Sequence, residues 1–182
     1  MTRSTSSIAL VLACLLSGAC SNYHENEANP PESRETHARY TIDRLKESAP
    51  HIQRFFDSCV AYAVFPEIDK GAAGVGGAHG KGVVYQNGHV IGYVTVSQAS
   101  LGAQLGGQTY SEVIFFHSNH ELDNLKENKL EFDAQASAVA ASSGASANAD
   151  YAHGVAIFTL DEKGLMFEAS VGGQKFSYEA KQ

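Results

Sequence analysis

The sequence of 182 residues contains no tryptophan, four prolines and three cysteines, and only 18% of its residues are charged. Cys14 and Cys20 both fall within the first 20 residues, so the rest of the chain cannot be a scaffold held together by disulfides. Ile8–Leu16 is an apolar run of nine residues, far short of the ~20 needed for a membrane-spanning helix. The chain is therefore not a disulfide-rich module, and its apolar run is too short to span a bilayer.

The remaining composition is that of one compact domain. A hydrophobic content of 43% is too high for a disordered chain, and the length corresponds to a single domain. The formal net charge of −7 makes nucleic acid an unfavourable partner. Glycine is abundant instead, and eleven of the 17 glycines lie between Gly71 and Gly107.

The first 20 residues are predicted to direct export. The short apolar run is typical of a signal peptide, and the stretch L-S-G-A-C resembles the lipobox of bacterial lipoproteins, in which cleavage precedes a lipidated cysteine. We therefore expect residues 1–19 to be a signal peptide and Cys20 to carry the lipid. Ser17 stands where the usual box has a large aliphatic residue, so lipidation at Cys14 and a signal peptide without lipid remain alternatives.

Residues 20–32 are predicted to form the lipidated anchor and a flexible tether, because they are polar and contain two prolines. The domain then spans 33–182. Cys59 is the one cysteine inside it, and its apolar surroundings predict a packed rather than a reactive thiol.

Two helices are predicted at the start of the domain. Between Ser33 and Ala49, apolar residues recur at helical spacing and form one stripe: Ala38, Ile42, Leu45 and Ala49. Pro50 ends this helix or opens the next one. A second short amphipathic helix is marked by Ile52, Phe55, Phe56 and Cys59.

After these helices the pattern becomes that of strands. Ala61–Phe65 is predicted to be a short strand interrupted by Pro66. Small residues then alternate at Gly74, Gly76, Ala78, Gly80 and Gly82. A strand face with so little side chain predicts that a helix or another sheet lies against it. Asn87–Gly88 predicts a hairpin.

The remainder alternates short strands with turns. Ser118 has the spacing of a capping box and predicts a helix reaching about Asn128. Residues 134–149 are mostly Ala and Ser, and we favour a strand over a helix there. The order of elements predicts an α+β fold, with N-terminal amphipathic helices followed by a strongly curved, mostly antiparallel, barrel-like sheet.

Three ordered motifs resemble the SYLF, or Ysc84-like, domain family, and the resemblance runs from about Arg39 to Tyr178. The first is Ala63–Pro66 followed by Lys70–Gly71, Gly74–Gly77 and Gly80–Gly82; the second is the glycine strand Ala99–Gln108; the third is the ending with Ala156–Phe158, Lys163–Met166 and Gly172–Gly173. The family implies phospholipid binding, with phosphoinositide preference in eukaryotic members and actin binding in yeast members. In eukaryotic members the N-terminal helix is also implicated in membrane contact.

No family motif assigns binding to single residues here, so charge supplies the candidates. Residues 33–54 hold five cations and three anions, whereas the rest of the domain is strongly acidic. A basic amphipathic helix next to an anchor suits an anionic leaflet. The candidate lipid-binding residues are Arg39, Arg44, Lys46, Lys70 and Lys81.

The residue spacing does not fit the motifs of nucleotide-binding loops or metal sites. His79 stands where a third dinucleotide-loop glycine would be, and Gly82 stands where a Walker loop needs Ser or Thr. His117 and His120 lack further metal ligands at recognisable spacing. We expect no enzyme activity, no cofactor and no metal.

The sequence therefore predicts a non-catalytic lipoprotein that binds anionic phospholipid surfaces in the bacterial envelope. Ser21, rather than Asp, follows Cys20, which favours the outer membrane with the domain facing the periplasm. Two alternatives remain: an envelope scaffold that binds another protein, and a periplasmic carrier holding an acyl chain inside the sheet.

Overall fold

The structure, a computed structural model, describes residues 30–132, 151, 154–161, 164–167 and 173–182. The predicted signal peptide, the lipidation site Cys20, its alternative Cys14 and the Ala/Ser-rich residues 134–149 lie outside the described residues.

The described elements confirm the α+β class. Two helices and a single-turn 3₁₀ helix precede two long strands, a third helix and four short strands. Their bounds are α1 Pro31–Ser48, the 3₁₀ turn Pro50–Ile52, α2 Gln53–Ser58, β1 Ala61–Gln86, β2 His89–Phe116, α3 Asn119–Lys126, β3 Glu131–Phe132, β4 Val155–Asp161, β5 Gly164–Phe167 and β6 Gln174–Ala180.

The sequence patterns that predicted α1 and α3 have the structural roles expected of them. All four residues of the predicted α1 stripe are buried. The helix begins at Pro31, two residues before the predicted domain boundary, because a proline fits the first helical turn, where its missing N–H needs no partner. At α3, the Ser118 side chain caps the helix by accepting a hydrogen bond from the His120 backbone N–H, and its hydroxyl donates one to Glu121.

The sheet is antiparallel throughout its described pairings. β2 lies at its centre, and the order along the sheet is β3-β6-β2-β4-β5, with β1 also paired to β2. Residues 92–98 of β2 pair with β6, and residues 111–116 pair with β4. This order has two ends, β3 and β5, so the described pairings do not establish the barrel-like closure that the sequence suggested.

The two long strands replace the several short ones that the sequence predicted. Pro66 does not interrupt β1, because the register with β2 shifts between Phe65 and Ile68 and so absorbs the residue without an N–H as a bulge. The hairpin at Asn87–Gly88 is confirmed, since both residues have positive φ (52° and 76°) and Gln86 pairs with His89.

The small-residue face of β1 is explained by close approach, although the approaching element differs from the prediction. A Cβ on Gly80 would lie 2.8 Å from the Glu67 carbonyl oxygen, and one on Gly82 would lie 2.7 Å from the Val64 carbonyl oxygen. The second half of β1, residues 77–86, therefore contacts the first half, residues 61–70. At Gly80 and Gly82, the small-residue face of β1 therefore lies against the first half of the same strand and not against a helix or another sheet.

Two cores lie on opposite faces of the sheet. Along β2, Val113 and Phe115 pack with α1 and α2, whereas Ile114 and Phe116 pack with α3. Both faces of this strand are covered, which explains an unbroken apolar run where a half-exposed strand would alternate. The result is a helix–sheet–helix arrangement that holds α1 across the first and second halves of β1.

Candidate lipid-binding surface

The solvent-facing side of α1 carries an exposed aromatic residue next to a cation. Tyr40 is 65% exposed and is the exposed large hydrophobic side chain of the described residues. The Arg44 guanidinium carbon lies 6.0 Å from the centre of the Tyr40 ring, one helical turn away. An aromatic ring beside a cation on an exposed helix face is typical of surfaces that lie at a lipid–water boundary.

Arg39 is exposed, but it belongs to a polar cluster that fastens α1 to the sheet. Its guanidinium lies 3.7 Å from a carboxylate oxygen of Glu35. Glu35 also accepts hydrogen bonds from the Tyr93 hydroxyl at 2.8 Å and from Lys181 at 2.7 Å. The hydrogen bond from Lys181, and then that from Tyr93, hold the pKa of the Glu35 carboxyl below its ordinary value.

The pKa of Tyr93 shifts in the opposite direction, upward. Burial, together with the hydrogen bond that its hydroxyl donates to Glu35, raises the pKa of Tyr93 to about 12. The Tyr93 ring also lies under the Arg34 guanidinium, 5.0 Å from the ring centre.

Lys46 is half-buried, with its ammonium 4.5 Å from the centre of the Phe56 ring on α2. Lys46 and Arg39 are seven residues apart and share one flank of α1, whereas Arg44 lies toward the other flank. The helix as observed also carries no net formal charge, since four cations (Arg34, Arg39, Arg44, Lys46) face four anions (Glu32, Glu35, Asp43, Glu47). Arg44 is thus the candidate on α1 that stands beside the exposed aromatic.

The two lysines predicted on β1 lie in different halves of the strand. Lys70 pairs in register with Gln108, and Lys81 pairs with Thr95. Because Arg44 lies toward a different flank of α1 from Arg39 and Lys46, the five predicted residues do not share a single face. Lys81 instead lines a cleft of about 180 Å³.

That cleft lies between α1 and the two halves of β1, and it was not foreseen from the sequence. Its walls are formed by Arg34 and His37 of α1, by Pro66, Glu67 and Asp69 of the first half of β1, and by His79, Gly80 and Lys81 of the second half. The Asp69 carboxylate accepts a hydrogen bond from the Thr109 hydroxyl at 2.7 Å. Charged side chains of both signs line the cleft.

A weak signal for these residues was present. Glu67 and Asp69 are two apart, as are His79 and Lys81, so each pair lies on one face of its half-strand. The contact between the two halves depends on the path of β1 through its middle, which no local pattern specifies.

The Cys59 thiol is a packed group, as the sequence predicted. Burial raises the pKa of the Cys59 thiol to about 11, and its sulfur lies 3.7 Å from the Phe56 carbonyl oxygen, in keeping with a packed cysteine.

His117 and His120 are both exposed. Within the described ranges, no three His, Cys, Asp or Glu side chains are placed to hold a metal ion, and no helix has the length and apolarity to cross a membrane.

Comparison with known proteins now supplies the family. Residues 97–181 match the model of the Ysc84 family, described as Las17-binding protein actin regulator. Residues 97–181 are thus similar to the Ysc84 (SYLF) domain. The resemblance seen in the glycine strand and the C-terminal hairpin is thereby confirmed.

A curated relative extends the similarity toward the N-terminus. The chain is 30% identical over 155 residues to beta cell expansion factor A from Aeromonas veronii, an alignment that covers 81% of this chain. An alignment of this length includes residues before position 97, where α1 and β1 lie. The chain spans 59% of the length of that relative.

Proposed function

We propose that the protein is a non-catalytic phospholipid-binding lipoprotein of the bacterial envelope that recognises anionic lipid surfaces through α1. Membership of the Ysc84 (SYLF) family supports lipid binding or a scaffold role. Lipidation at Cys20 and a position at the outer membrane, facing the periplasm, are part of the proposal.

The observation that carries the proposal is the exposed Tyr40 beside Arg44 on the outer face of α1. An exposed tyrosine can place its ring among lipid headgroups while its hydroxyl stays hydrated. A neighbouring arginine contributes roughly 1 kcal/mol near an anionic surface. The two groups together suit shallow peripheral binding.

The position of α1 along the chain adds a reason for orientation. Ten residues separate Cys20 from Pro31, and ten residues span at most about 35 Å when fully extended. A lipid on Cys20 would therefore keep α1 within that distance of the membrane. It would also counter the repulsion that an anionic leaflet exerts on a chain with net negative charge.

Vesicle flotation tests the proposal. The chain from Ser21 onward, without the anchor, is mixed with neutral phosphatidylcholine vesicles or with vesicles that also contain phosphatidylglycerol, at low and at high salt. We expect binding to the anionic vesicles at low salt and its loss at high salt, because exposed charges are screened.

The Arg44→Glu substitution locates the contact. Replacing a cation by an anion changes the charge by two, so we expect vesicle affinity to fall about 30-fold. Lys126→Glu on α3 is the matched control, since it makes the same change on the opposite face of the sheet and should have less than a threefold effect. Equal losses in both variants would mean that net charge, and not the α1 surface, governs binding.

The two alternatives predict other outcomes. Failure to float with either vesicle would favour the envelope scaffold, with a lipid on Cys20 as the membrane contact. A carrier of acyl chains would instead co-purify with lipid held in an apolar cavity.

A further inference from the structure

The cleft between α1 and the two halves of β1 presents unpaired charges of opposite sign to the same space. Lys81 and Glu67 both line it, and within the described part of the chain neither has an oppositely charged group within 4.0 Å. Opposite charges that line one small cleft without meeting are complementary to a ligand that itself carries both signs.

The shape of the cleft is set by the backbone. Gly80 lies between His79 and Lys81, where any side chain would meet the Glu67 carbonyl oxygen and Ile68. The glycine thus lets the second half of β1 contact the first, which brings the basic pair beside Glu67 and Asp69. Asp69 is oriented by the Thr109 hydroxyl, so its position does not depend on a ligand.

We infer that this cleft binds a phosphoethanolamine group, with the phosphate toward Arg34 and Lys81 and the ammonium toward Glu67 and Asp69. The inference rests on the proposed function in one respect, namely that a membrane phospholipid supplies this group.

Three observations select this chemistry. The basic groups come from α1 and the second half of β1. They are a guanidinium, an ammonium and the imidazoles of His37 and His79, and so many N–H donors suit the oxygens of a phosphate better than the two of a carboxylate. The carboxylates of Glu67 and Asp69, on the first half of β1, suit a primary ammonium, which donates hydrogen bonds. None of the eight residues lining the cleft is aromatic, whereas quaternary ammonium groups such as choline are recognised by aromatic cages.

The size of the cleft limits the ligand to a headgroup. Its volume of about 180 Å³ lies below the ~300–1,000 Å³ of pockets that take a drug-sized molecule. The acyl chains of a phospholipid would therefore stay in the membrane while the headgroup enters the cleft.

Calorimetric titration of the full chain, purified in a mild detergent, tests the chemistry. Soluble phosphoethanolamine should bind with a dissociation constant of about millimolar, as expected for a ligand of so few atoms. Phosphocholine, inorganic phosphate and ethanolamine should each bind at least tenfold more weakly, because each lacks one of the two complementary groups or replaces the primary ammonium. Equal affinity for phosphocholine and phosphoethanolamine, or no heat with either, would overturn the inference.

Matched variants locate the site. Lys81→Gln and Glu67→Gln should each weaken phosphoethanolamine binding at least tenfold, since each removes the partner of one end of the ligand. Lys70→Gln and Glu47→Gln remove the same charges outside the cleft and should change the affinity less than twofold. Circular dichroism confirms that the variants fold. Similar losses in the two sets would reject the cleft as the site.

A measurement with lipid distinguishes a membrane phospholipid from a soluble molecule as the source of the phosphoethanolamine group. Micelles of the same detergent are doped with phosphatidylethanolamine or phosphatidylcholine, and the midpoint of thermal unfolding is measured, because a bound ligand raises it. A rise with phosphatidylethanolamine that Lys81→Gln abolishes supports a membrane lipid as the source. A rise with free phosphoethanolamine but not with the lipid supports the chemistry and assigns a soluble source.

The inference and the proposed function fail separately. Anionic vesicle binding that depends on Arg44, with no response to phosphoethanolamine, would overturn the inference and leave the proposed function in place. Phosphoethanolamine binding that depends on Lys81, with no preference for anionic vesicles, would support the inference and reject the anionic surface.

Discussion

Glu35 is the side chain through which α1 is hydrogen-bonded to both β2 and the C-terminal residues. Its carboxylate is only 13% exposed and accepts from Tyr93 and Lys181, with Arg39 close by. Because these donors favour the ionised carboxylate, its pKa is lower in the folded chain than in the unfolded one. The stabilisation is therefore fully present above the unfolded pKa and is lost as the pH falls through the folded one.

The Glu35→Gln substitution should make this visible. At pH 7 we expect the variant to be less stable than the original chain by about 1 kcal/mol, a modest amount because Lys181 is partly exposed. The difference should begin to shrink near pH 4.5, the ordinary pKa of a glutamate, and should disappear once the pH is below the folded pKa, as the carboxylate of the original chain is protonated. Urea unfolding at a series of pH values measures it.

Glu47→Gln is the control for this experiment. Glu47 is exposed on the outer face of α1, so its substitution should change stability by less than ~0.5 kcal/mol at any pH. A difference between Glu35→Gln and the original chain that stays constant down to pH 3 would show that the lost interaction does not depend on charge.

At the scale of the elements, the packing of β1 requires small residues at particular positions. Gly80 and Gly82 permit contact between its two halves, and the cleft exists because of that contact. Not every glycine of this region has such a role. Gly71 is exposed, and a Cβ built there would have no atom within 4 Å. The glycine-rich composition thus combines positions fixed by packing with positions that are free.

Gly82→Ala and Gly71→Ala separate these two kinds of glycine. A methyl group at position 82 would lie 2.7 Å from the Val64 carbonyl oxygen, so the halves of β1 must move apart, at a cost of about 1–3 kcal/mol. The thermal midpoint should fall by roughly 2–4 °C for each kcal/mol. Gly71→Ala should be neutral or slightly stabilising, because alanine restricts the unfolded chain. Equal melting points for the two variants would contradict the close approach.

Over the whole molecule, α1 is held by apolar packing as well as by the Glu35 cluster. Leu45 is 1% exposed and packs with Phe55, Val64 and Phe158 in the core on the α1 face of the sheet. Because one wall of the cleft comes from α1 and two come from β1, docking of the helix and integrity of the cleft are coupled.

Leu45→Ala tests this coupling. We expect the loss of a buried leucine side chain to cost 2–5 kcal/mol in the free energy of unfolding. Ile91, which is only partly buried beside the other core, offers a milder comparison, and Ile91→Val should cost less than ~1.5 kcal/mol. Chemical denaturation measures both. A Leu45→Ala cost no larger than that of Ile91→Val would mean that α1 is only loosely docked.

The sequence alone determined the elements whose signals are local. The apolar stripe from Ala38 to Ala49 specified the buried face of α1, Ser118 specified the start of α3, and Asn87–Gly88 specified the hairpin. The order of three motifs along the chain also indicated the resemblance to the Ysc84 (SYLF) family. The signals for α1, α3 and the hairpin involve residues close together in the chain, so propensity, capping and turn geometry were sufficient.

Tertiary structure decided what depends on contacts between distant residues. Pro66 did not end its strand, because the register with β2 could absorb it as a bulge. The predicted cations Arg39 and Lys81 were assigned to different places, one beside Glu35 and the other in the cleft. The strength of an interaction between two charges depends on their distance in space. The path of the whole chain therefore decides which opposite charge each charged side chain meets.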